Sequence, residues 1–488
     1  MNDKGLQHPM STLARNSLFS AISLGLKFLS NALLFVILAR SLGVADFGSF
    51  AFATSLTGIF LVIVDYGFNL QIVHDVAKSP GGVRGILQDI CNAKLLLSIL
   101  STLAISLTVI LSSHSQSSKL VILILWIGAL CFSYGQLINS AYKGLNRFER
   151  EAYPTVILNL VQFTVILALL AFGQKMIPVA IGYTGARIVY FVVSYRYFAS
   201  ESGRIGFRCN FKNGWRTIID SLPFGVHSIL ATIYFQVDTV MISYIKGDSE
   251  VGYYQAAMRI VIAAMLLYDI IISPFFPLIA KAFASDQVEF RGHAFSLNKY
   301  MFLVGSTIST FLYFFAEQVI GLLYGSSYAP SIHLLQLLAV VIFLRFAGAG
   351  YGLIITIADN QRMRAVGVTF STVVNVGLNF YVIPRYGAVG AALSSIITHV
   401  VLVVFYAFFS YKTTHSFFVN AFCLRGLLVT GLAVIFCYYL KPYTILGAIA
   451  VFVFLPVMIA SVALEKRENK KAFQILAKIL LPFNRIRI

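Results

Sequence analysis

The sequence has few charged residues. Charged side chains make up 11% of its 488 residues, whereas an ordinary soluble domain carries about 25%. A soluble chain of this length folds into two or three domains with polar surfaces, and this chain has too few polar residues to cover them. Hydrophobic residues make up 58% of the chain, and its mean hydropathy is +0.83. These values exclude a soluble globular protein and indicate a chain surrounded by lipid.

The chain also lacks segments that several classes of membrane protein require. The longest stretch between hydrophobic runs is 199–220, which is too short for a folded catalytic module. No glycine-rich phosphate-binding loop ending in Lys-Ser or Lys-Thr is present, which argues against an ATP-driven pump. The histidines, acids and five cysteines show no metal-ligand spacing and no nucleophile–base pair. We therefore expect no catalytic residues, no metal and no cofactor, and predict that the protein is not an enzyme.

Hydrophobic runs recur along the whole chain, each long enough to cross a hydrocarbon core about 30 Å thick. They lack the alternation of a membrane β-barrel and predict an all-α polytopic membrane protein with about fourteen transmembrane helices. The predicted spans are 16–39, 47–70, 90–112, 119–141, 153–173, 176–198, 221–245, 252–279, 299–323, 331–357, 364–383, 387–410, 417–440 and 442–464. The first run is too long for the hydrophobic region of a cleavable signal peptide.

Positive charges are unevenly distributed between the two sides of the predicted membrane. Lys and Arg outnumber Asp and Glu by 37 to 19. Most fall in segments on the same side as both termini, Lys94 among them, and few fall in the opposite loops. Because positive loops stay on the cytoplasmic side, both termini are predicted to be cytoplasmic. The net charge of +18 then reflects topology and contact with anionic headgroups, and no nucleic-acid partner is expected.

Two junctions between predicted spans resemble each other. ADFGSFAFATSL (45–56) aligns with SEVGYYQAAMRI (249–260), which pairs Gly48 with Gly252 and Asp46 with Glu250. Six spans separate the junctions, so the repeat is expected to be parallel. The alternative is chance similarity between two loops that contain glycine. The acid two residues before each glycine is also expected to cap free amides at a helix start.

The repeat predicts two six-helix lobes followed by two further helices. The predicted boundaries are an N-terminal lobe 1–198, a cytoplasmic linker 199–220, a C-terminal lobe 221–410, two additional helices 411–464 and a basic amphipathic tail 465–488. The tail is expected to lie on the inner leaflet, the alternative being a solvated charged tail. Two lobes facing a cleft suit a transporter that alternates between inward-open and outward-open states.

Ionisable residues lie well inside the predicted spans. They are Lys27, Asp65, Arg187, Asp238, Arg259, Asp269 and Arg345. A charged side chain that faces lipid at the centre of a helix costs about 2.5–3.5 kcal/mol or more. These side chains are therefore expected to face one another or a hydrated cavity.

The cations are predicted to form the substrate site. Lys27, Arg187 and Arg345 lie near the midplane by the helical rise, with no acid at matching depth on a neighbouring span. With Arg259 they are predicted to line a cationic cleft that binds an anionic group such as pyrophosphate. The alternative is that they snorkel toward the interface or pair with acids at other depths.

The acids are candidates for ion pairs or for coupling. Asp238 and Arg259 lie at similar depths on consecutive spans, which allows an ion pair that locks the helices or contacts the substrate. Asp65 and Asp269 lie toward the inner half of the membrane. Buried carboxylates there can carry protons in coupled transport, or can form hydrogen bonds between helices.

Several stretches of the chain resemble bacterial polysaccharide-biosynthesis flippases of the Wzx type. They are AR-x-LG-x-x-x-FG (39–48) followed by DYGF (65–68), SLPFGVHSILATIYFQVDTVMISYIKGDSEVGYYQAAMRI (221–260) and IPRYGAVGAALSS (383–395). The resemblance runs through nearly the whole chain and implies the multidrug/oligosaccharidyl-lipid/polysaccharide exporter superfamily. Proteins of that superfamily have two six-helix lobes around a central cavity, with two added helices in the fourteen-span branch.

The resemblance also implies a function and partners. Members of the family move an undecaprenyl-pyrophosphate-linked oligosaccharide, such as an O-antigen unit, from the inner to the outer leaflet of the bacterial inner membrane. The cleft cations of the family correspond here to Lys27, Arg259 and Arg345. The implied partners are the lipid-linked oligosaccharide, membrane lipids, and the polymerase and chain-length regulator of the same pathway. The driving force would be an ion gradient or the membrane potential.

Two other functions stay open at the level of the sequence. An ion-coupled exporter of drugs or metabolites with the same fold would need a smaller and more apolar or acidic cavity. A membrane glycan polymerase would need a long outer loop with catalytic Arg or His, and the predicted outer loops are short.

Overall fold

The computed structural model describes residues 30–204 and 211–415, together with residues 25, 426, 428, 430, 431, 435 and 451. Within these residues the chain is helical almost throughout and contains no strand. The predicted all-α class is confirmed. Lys27 and the predicted tail at 465–488 lie outside the described residues, as do nearly all residues of the last two predicted spans.

Fifteen helices are defined in the described part of the chain. The first are α1 (Ser30–Leu42), α2 (Val44–Asp65), α3 (Phe68–Lys78), α4 (Val83–Leu111), α5 (Gln116–Gly144), α6 (Phe148–Ala171), α7 (Met176–Ser202) and α8 (Phe211–Asp220). They continue with α9 (Leu222–Lys246), α10 (Asp248–Ser285), α11 (Gln287–Phe314), α12 (Ala316–Tyr324), α13 (Pro330–Ala347), α14 (Ala349–Ile357) and α15 (Gln361–Thr414).

Many of these helices can cross a bilayer. Among the described residues, 9 segments are long and apolar enough, or 10 if the pair α11–α12, bent by 73°, forms one span. Helix α15 consists of two helical segments joined at Gly387, whose φ of 57° is not helical, and this kink separates the predicted spans 364–383 and 387–410. The multi-pass membrane architecture predicted from the hydrophobic runs therefore holds for the described chain.

The chain divides into two compact units. The first unit comprises Met1–Gln255 and the second comprises Ala256–Ile488, so the division falls within α10. The lobe boundaries inferred from the sequence repeat remain a prediction. In the second unit α13 packs against α11 and α15. Gly305 of α11 permits this contact, because a Cβ there would lie 2.4 Å from the Cβ of Phe346.

In the first unit α5 packs closely on α7. A Cβ at Gly128 would lie 2.8 Å from Thr184 Oγ1, and a Cβ at Gly135 would lie 2.6 Å from the ring of Tyr190. Small residues let helix backbones approach one another in a membrane, where van der Waals contact drives association. The two glycines thus hold the middle of α7 against α5.

The DYGF motif is a break in a membrane-spanning segment. Helix α2 ends at Asp65, and the following residues Tyr66 and Gly67 have φ angles of 40° and 75° before α3 begins at Phe68. Glycine adopts such an angle without a steric penalty. The Tyr66 ring packs on α9, where a Cβ at Gly225 would lie 2.7 Å from it. Asp65, the last residue of α2, lies directly before this break.

The two glycines that align in the sequence repeat meet in space. A Cβ at Gly48 would lie 1.7 Å from the carbonyl oxygen of Asp248, and one at Gly252 would lie 2.3 Å from that of Val44. Helix α2 and the first turns of α10 therefore touch through their backbones. The glycine at each junction permits the contact made by the other.

The capping role predicted for the acid before Gly48 is wrong. The N-cap of α2 is Gly43, and no side chain caps this helix. Asp46 lies in the first turn of α2, and Glu250 lies in the first turn of α10. At those positions the carboxylates interact favourably with the positive end of the helix dipole.

The predicted linker contains a short helix. Helix α8 packs against α4, and a Cβ at Gly214 would lie 3.0 Å from the Leu96 side chain. Trp215 and Ile219 are exposed. The end of the linker is therefore part of the packed first unit.

Candidate functional site

A polar cavity of about 320 Å³ lies in the first unit, between α1, α3, α5, α6 and α7. Small-molecule sites have volumes of about 300–1,000 Å³, so the cavity is at the lower end of that range. Its carboxamides are Asn31, Asn69, Gln136, Asn139, Asn159 and Gln162. Its charged residues are Lys143, Glu151 and Arg187, and its aromatic residues are Phe132, Phe148, Tyr183 and Tyr190.

The lining residues form single faces of the helices. Those of α5 lie at positions 132, 136, 139, 140 and 143, and those of α6 at 148, 151, 155, 158, 159 and 162. Residues three and four apart lie on the same side of a helix. Each of these otherwise apolar helices therefore carries one polar stripe, and the two stripes face the same space.

Arg187 of α7 is the cation of this cavity that the sequence predicted. Its Nη2 donates to the Tyr183 hydroxyl at 2.8 Å. Its guanidinium lies 4.4 Å from the centre of the Tyr183 ring and 4.9 Å from that of Phe132, distances typical of cation–π contacts. Within the described residues no carboxylate forms an ion pair with Arg187. Aromatic groups hold the guanidinium, and its other N–H donors can bind an anion.

Asn139 of α5 presents an unsatisfied acceptor. Its side chain is 3% exposed, and its Nδ2 donates to the Tyr190 hydroxyl at 2.8 Å. Its Oδ1 has no hydrogen-bond partner in the described chain, and the same is true of Asn69 Oδ1. A buried polar atom without a partner costs about 1–3 kcal/mol. Both oxygens can accept hydrogen bonds from a molecule in the cavity.

The remaining charges of the cavity compensate each other. Lys143 Nζ lies 3.4 Å from Glu151 Oε1. Asn159 Nδ2 donates to the carbonyl oxygen of Thr155 at 2.8 Å. With Lys143 neutralised by Glu151, Arg187 supplies the net positive charge of the cavity.

Asp65 forms an ion pair with a buried lysine, outside the cavity lining. Lys94 Nζ donates to Asp65 Oδ1 at 2.7 Å, and Ser133 Oγ donates to the same oxygen. The Lys94 side chain is 0% exposed and its Nζ lies 5.4 Å from the centre of the Tyr134 ring. Lys94, which the charge distribution counted with the cytoplasmic segments, lies inside α4, where a partner acid lets a lysine be buried.

Asp238 is buried in the first unit. Its Oδ2 accepts a hydrogen bond from the Tyr254 hydroxyl at 3.0 Å. The predicted pair with Arg259 remains a prediction.

The other predicted cations of the described chain belong to the second unit. Arg345 interacts electrostatically with Asp269, Tyr268 and His399. Asp269 lies on α10 and Arg345 on α13, which are not adjacent spans, and the predicted role of Arg345 in a cationic cleft remains a prediction. Arg259 interacts electrostatically with Tyr324. Of the predicted cations in the described residues, Arg187 lines the polar cavity.

Sequence reasoning missed the carboxamides. Charged side chains have a high cost in lipid and are therefore conspicuous inside a hydrophobic run, whereas Asn and Gln are less so. The spacing of Glu151, Thr155, Asn159 and Gln162 along α6 is a helical polar stripe inside a hydrophobic run. That pattern was readable in the sequence and would have identified α6 as a wall of a polar cavity.

Two relatives of this chain are named as a flippase and a transporter. The chain is 22% identical over 412 residues to the "Probable low-salt glycan biosynthesis flippase Agl15" of Haloferax volcanii, with 81% of this chain and 83% of the relative covered. It is 22% identical over 396 residues to the "Putative O-antigen transporter" of Escherichia coli K12, with 79% of this chain and 94% of the relative covered. These relatives are named for transport and not for catalysis, in agreement with the prediction that the chain is not an enzyme.

Solved structures show the same fold. An inward closed conformation of the lipid II flippase MurJ matches with a TM-score of 0.71 and 16% identity, covering 92% of this chain and 99% of that one. An inward-facing multidrug resistance transporter of the MATE family matches with a TM-score of 0.63 and 14% identity, covering 80% and 96%. The family model described as "Polysaccharide biosynthesis protein" matches residues 13–283. This match spans more than half of the chain and, with the shared fold, confirms the resemblance drawn from the sequence: the chain belongs to the polysaccharide biosynthesis protein family.

Proposed function

We propose that the protein is a flippase that moves an undecaprenyl-pyrophosphate-linked oligosaccharide, such as an O-antigen unit, from the inner to the outer leaflet of a bacterial inner membrane. The observation that carries this proposal is the polar cavity inside an apolar helical bundle. Carboxamides both donate and accept hydrogen bonds, as sugar hydroxyls do. Aromatic rings offer a flat apolar surface beside them. The names of the relatives support a glycan as the cargo.

The carrier lipid has a place in this proposal. The glycan enters the polar interior, and the polyprenyl chain stays in lipid. The predicted cations Lys27, Arg187, Arg259 and Arg345 hold the anionic groups of the cargo, among them the pyrophosphate. Movement follows alternating access, in which two lobes open toward one side of the membrane at a time. A polymerase and a chain-length regulator of the same pathway would receive the flipped unit.

The acids Asp65, Asp238 and Asp269 are the residues considered for coupling to an ion gradient. Buried carboxylates in membranes are suited to ion pairs and to proton transfer. The 2.7 Å contact between Lys94 and Asp65 supports an ion-pair role for Asp65. Asp238 and Asp269 remain the candidates for coupling, and both termini are assigned to the cytoplasm by the distribution of Lys and Arg.

A drug exporter is the second candidate. The likeness to a multidrug resistance transporter favours it. Arg187 disfavours it for cationic drugs, because a positive charge without an acid partner repels such cargo.

Complementation tests the proposal. The gene is deleted in its native host, and the wild-type chain, Arg187→Met or Arg196→Met is returned at equal membrane abundance. Arg196 lies on the same helix, exposed and outside the cavity lining, so it is the matched control. We expect the wild type and Arg196→Met to restore surface glycan. Arg187→Met should restore about tenfold less, since charge-assisted hydrogen bonds contribute about 1.5–3 kcal/mol.

Other outcomes would replace the proposal. Surface glycan that is unaffected by the deletion, together with a loss of resistance to cationic drugs, would establish the exporter. Equal restoration of surface glycan by Arg187→Met and by the wild type would show that Arg187 is not part of the transport site.

A further inference from the structure

The polar cavity has the size of one sugar ring. Its volume of about 320 Å³ is at the lower end of the range of about 300–1,000 Å³ for small-molecule sites. An oligosaccharide of several rings exceeds this space. The cavity is thus suited to select a single residue of a larger glycan.

The cavity offers one net positive charge. Lys143 is paired with Glu151 at 3.4 Å, and Arg187 has no acid partner among the described residues. The Tyr183 and Phe132 rings cover the guanidinium at 4.4 and 4.9 Å. An arginine held in this way presents its remaining in-plane N–H groups, which match the two oxygens of a carboxylate.

The charge and the walls together distinguish a carboxylate from a pyrophosphate. A pyrophosphate carries more negative charge than one arginine neutralises, whereas a sugar carboxylate carries one. The carboxamides and aromatic rings of the lining match the uncharged hydroxyls and faces of a ring. Asn139 Oδ1, buried and without a partner, is an acceptor for one hydroxyl.

We infer that this cavity binds one carboxylate-bearing sugar residue of the transported glycan, with Arg187 on the carboxylate and Asn139 on a hydroxyl. The inference rests on the proposed function, because it takes the cargo to be a glycan. Tyr183 is a positioning residue, since its hydroxyl accepts from Arg187 Nη2 at 2.8 Å. The glycans that this protein selects would then contain a uronic acid or a similar acidic sugar.

Binding of small probes to the purified full-length chain tests the inference. The probes are D-glucuronate, D-glucose and inorganic pyrophosphate, measured by saturation-transfer NMR in nanodiscs. We expect D-glucuronate to bind at least about tenfold more tightly than D-glucose. Arg187→Lys keeps the charge but loses the paired donors, so it should weaken D-glucuronate about tenfold and leave D-glucose unchanged. Arg196→Lys, the same change at an exposed site on α7, should match the wild type.

A second variant tests the inference if Arg187→Lys does not fold. Tyr183→Phe keeps the ring over the guanidinium and removes the hydroxyl that holds it, so D-glucuronate should bind about threefold to tenfold more weakly. Its affinity for D-glucose should not change. Thermal melting of every variant establishes that the chain is folded.

Several results would overturn the inference. Equal affinity for D-glucuronate and D-glucose would show that no carboxylate is recognised. Displacement of D-glucuronate by pyrophosphate at lower concentration, lost in Arg187→Lys, would make the cavity a phosphate site. Failure of D-glucuronate to bind the folded wild type at millimolar concentration would also contradict the inference.

The failure of this inference can be told apart from failure of the proposed function. Vesicles containing the wild type are given lipid-linked glycans with and without an acidic sugar. Movement of both glycans at equal rates would support the flippase function and contradict the binding site for an acidic sugar. Binding of D-glucuronate without movement of any lipid-linked glycan would contradict the flippase function and would still support the binding site for an acidic sugar.

Discussion

At the scale of single residues, the ion pair of Asp65 with the buried Lys94 constrains the packing of α2 on α4 in the first unit. The lysine side chain is 0% exposed and its Nζ lies 2.7 Å from the carboxylate. Taking the lysine charge out of water is expensive, and the attraction and hydrogen bond of Asp65, whose side chain is 21% exposed, offset that cost. Removal of one partner leaves the other charge buried without compensation.

We expect Asp65→Asn to destabilise the protein by about 3–5 kcal/mol, as the loss of one member of a buried ion pair does. The double variant Asp65→Asn with Lys94→Met should recover much of this loss, because no buried charge remains. Thermal unfolding in detergent, followed by size-exclusion chromatography of the unheated and heated protein, measures both effects.

A matched control is Arg216→Met. The Arg216 and Asp220 side chains are 86% and 62% exposed at an N–O distance of 4.0 Å, so this pair contributes little to stability. A double variant as unstable as Asp65→Asn alone would show that the pair does not act as a unit.

The environment of His114 is expected to make the stability of the protein depend on pH. It lies between α4 and α5, with its ring stacked on Phe52 at 4.5 Å and its Nε2 2.9 Å from Ser243 Oγ. Ser243 Oγ donates in turn to Asp248 at 2.7 Å, so His114 Nε2 carries the proton that bonds Ser243. Nδ1 is buried and has no partner in the described chain. A second proton on the ring would have no acceptor.

Burial accordingly lowers the pKa of His114 from its ordinary value of 6.5, against the attraction of Asp248 and with the repulsion of Lys119. The folded state therefore binds fewer protons than the unfolded state below that pH. Stability from this site is present above about pH 6.5 and falls as the pH drops below it.

We expect wild-type protein to melt at a progressively lower temperature between pH 7 and pH 5, and His114→Gln to show a weaker dependence. Melting curves at several pH values measure this. The control is His74→Gln, because the His74 side chain is 54% exposed. The same pH dependence in His114→Gln as in the wild type would show that other groups dominate.

At the scale of helices, close contacts through glycine organise the first unit. The α5–α7 contact at Gly128 and Gly135 places Arg187 and Tyr190 beside the polar stripe of α5. The α2–α10 contact at Gly48 and Gly252 joins the two junctions that resemble each other in sequence. In lipid, close backbone contact is a principal source of helix association.

We expect Gly48→Ala to lower the stability of the protein by about 1–3 kcal/mol or more, as overpacking of a tight contact does. The new Cβ would lie 1.7 Å from a backbone oxygen, which cannot rotate away. Gly58→Ala on the same helix is the control, since its Cβ would lie 3.7 Å from the nearest atom, in the Gln236 side chain. Melting temperatures that are equal in the two variants would contradict this account.

The helices were more predictable than their breaks. Hydrophobic length placed most spans, since a helix must satisfy its own backbone in lipid. It treated 47–70 as one helix, although Tyr66 and Gly67 interrupt it, and it treated 299–323 as straight, although α11 and α12 are bent by 73°. Hydropathy depends on the types of side chain and contains no information about local backbone angles, so it does not detect such breaks.

At the scale of the whole molecule, two compact units each hold part of the predicted cationic set. Arg187 belongs to the first unit, and Arg259 and Arg345 belong to the second. Arg187 has no acid partner in the described chain, whereas Arg345 acts on Asp269. Arg187 of the first unit thus offers an anion a cationic partner within a polar cavity.

The sequence by itself determined the membrane class, the approximate spans and the presence of costly charges inside them. These properties follow from the composition of each segment and from the thickness of the bilayer. The sequence repeat also aligns Gly48 with Gly252, and these two glycines lie in contact. Membership of the family followed from residues scattered along the chain, which need no tertiary structure to be compared.

Only the tertiary structure decided which polar groups meet. The pairing of Lys94 with Asp65, the aromatic contacts of Arg187 and the cavity shared by α5 and α6 all depend on how helices are rotated about their axes and packed. Those rotations come from contacts between helices, such as the glycine faces of α5. Depth along a helix can be read from the sequence at a fixed rise per residue. The direction in which a side chain points across the bundle is set by its neighbours.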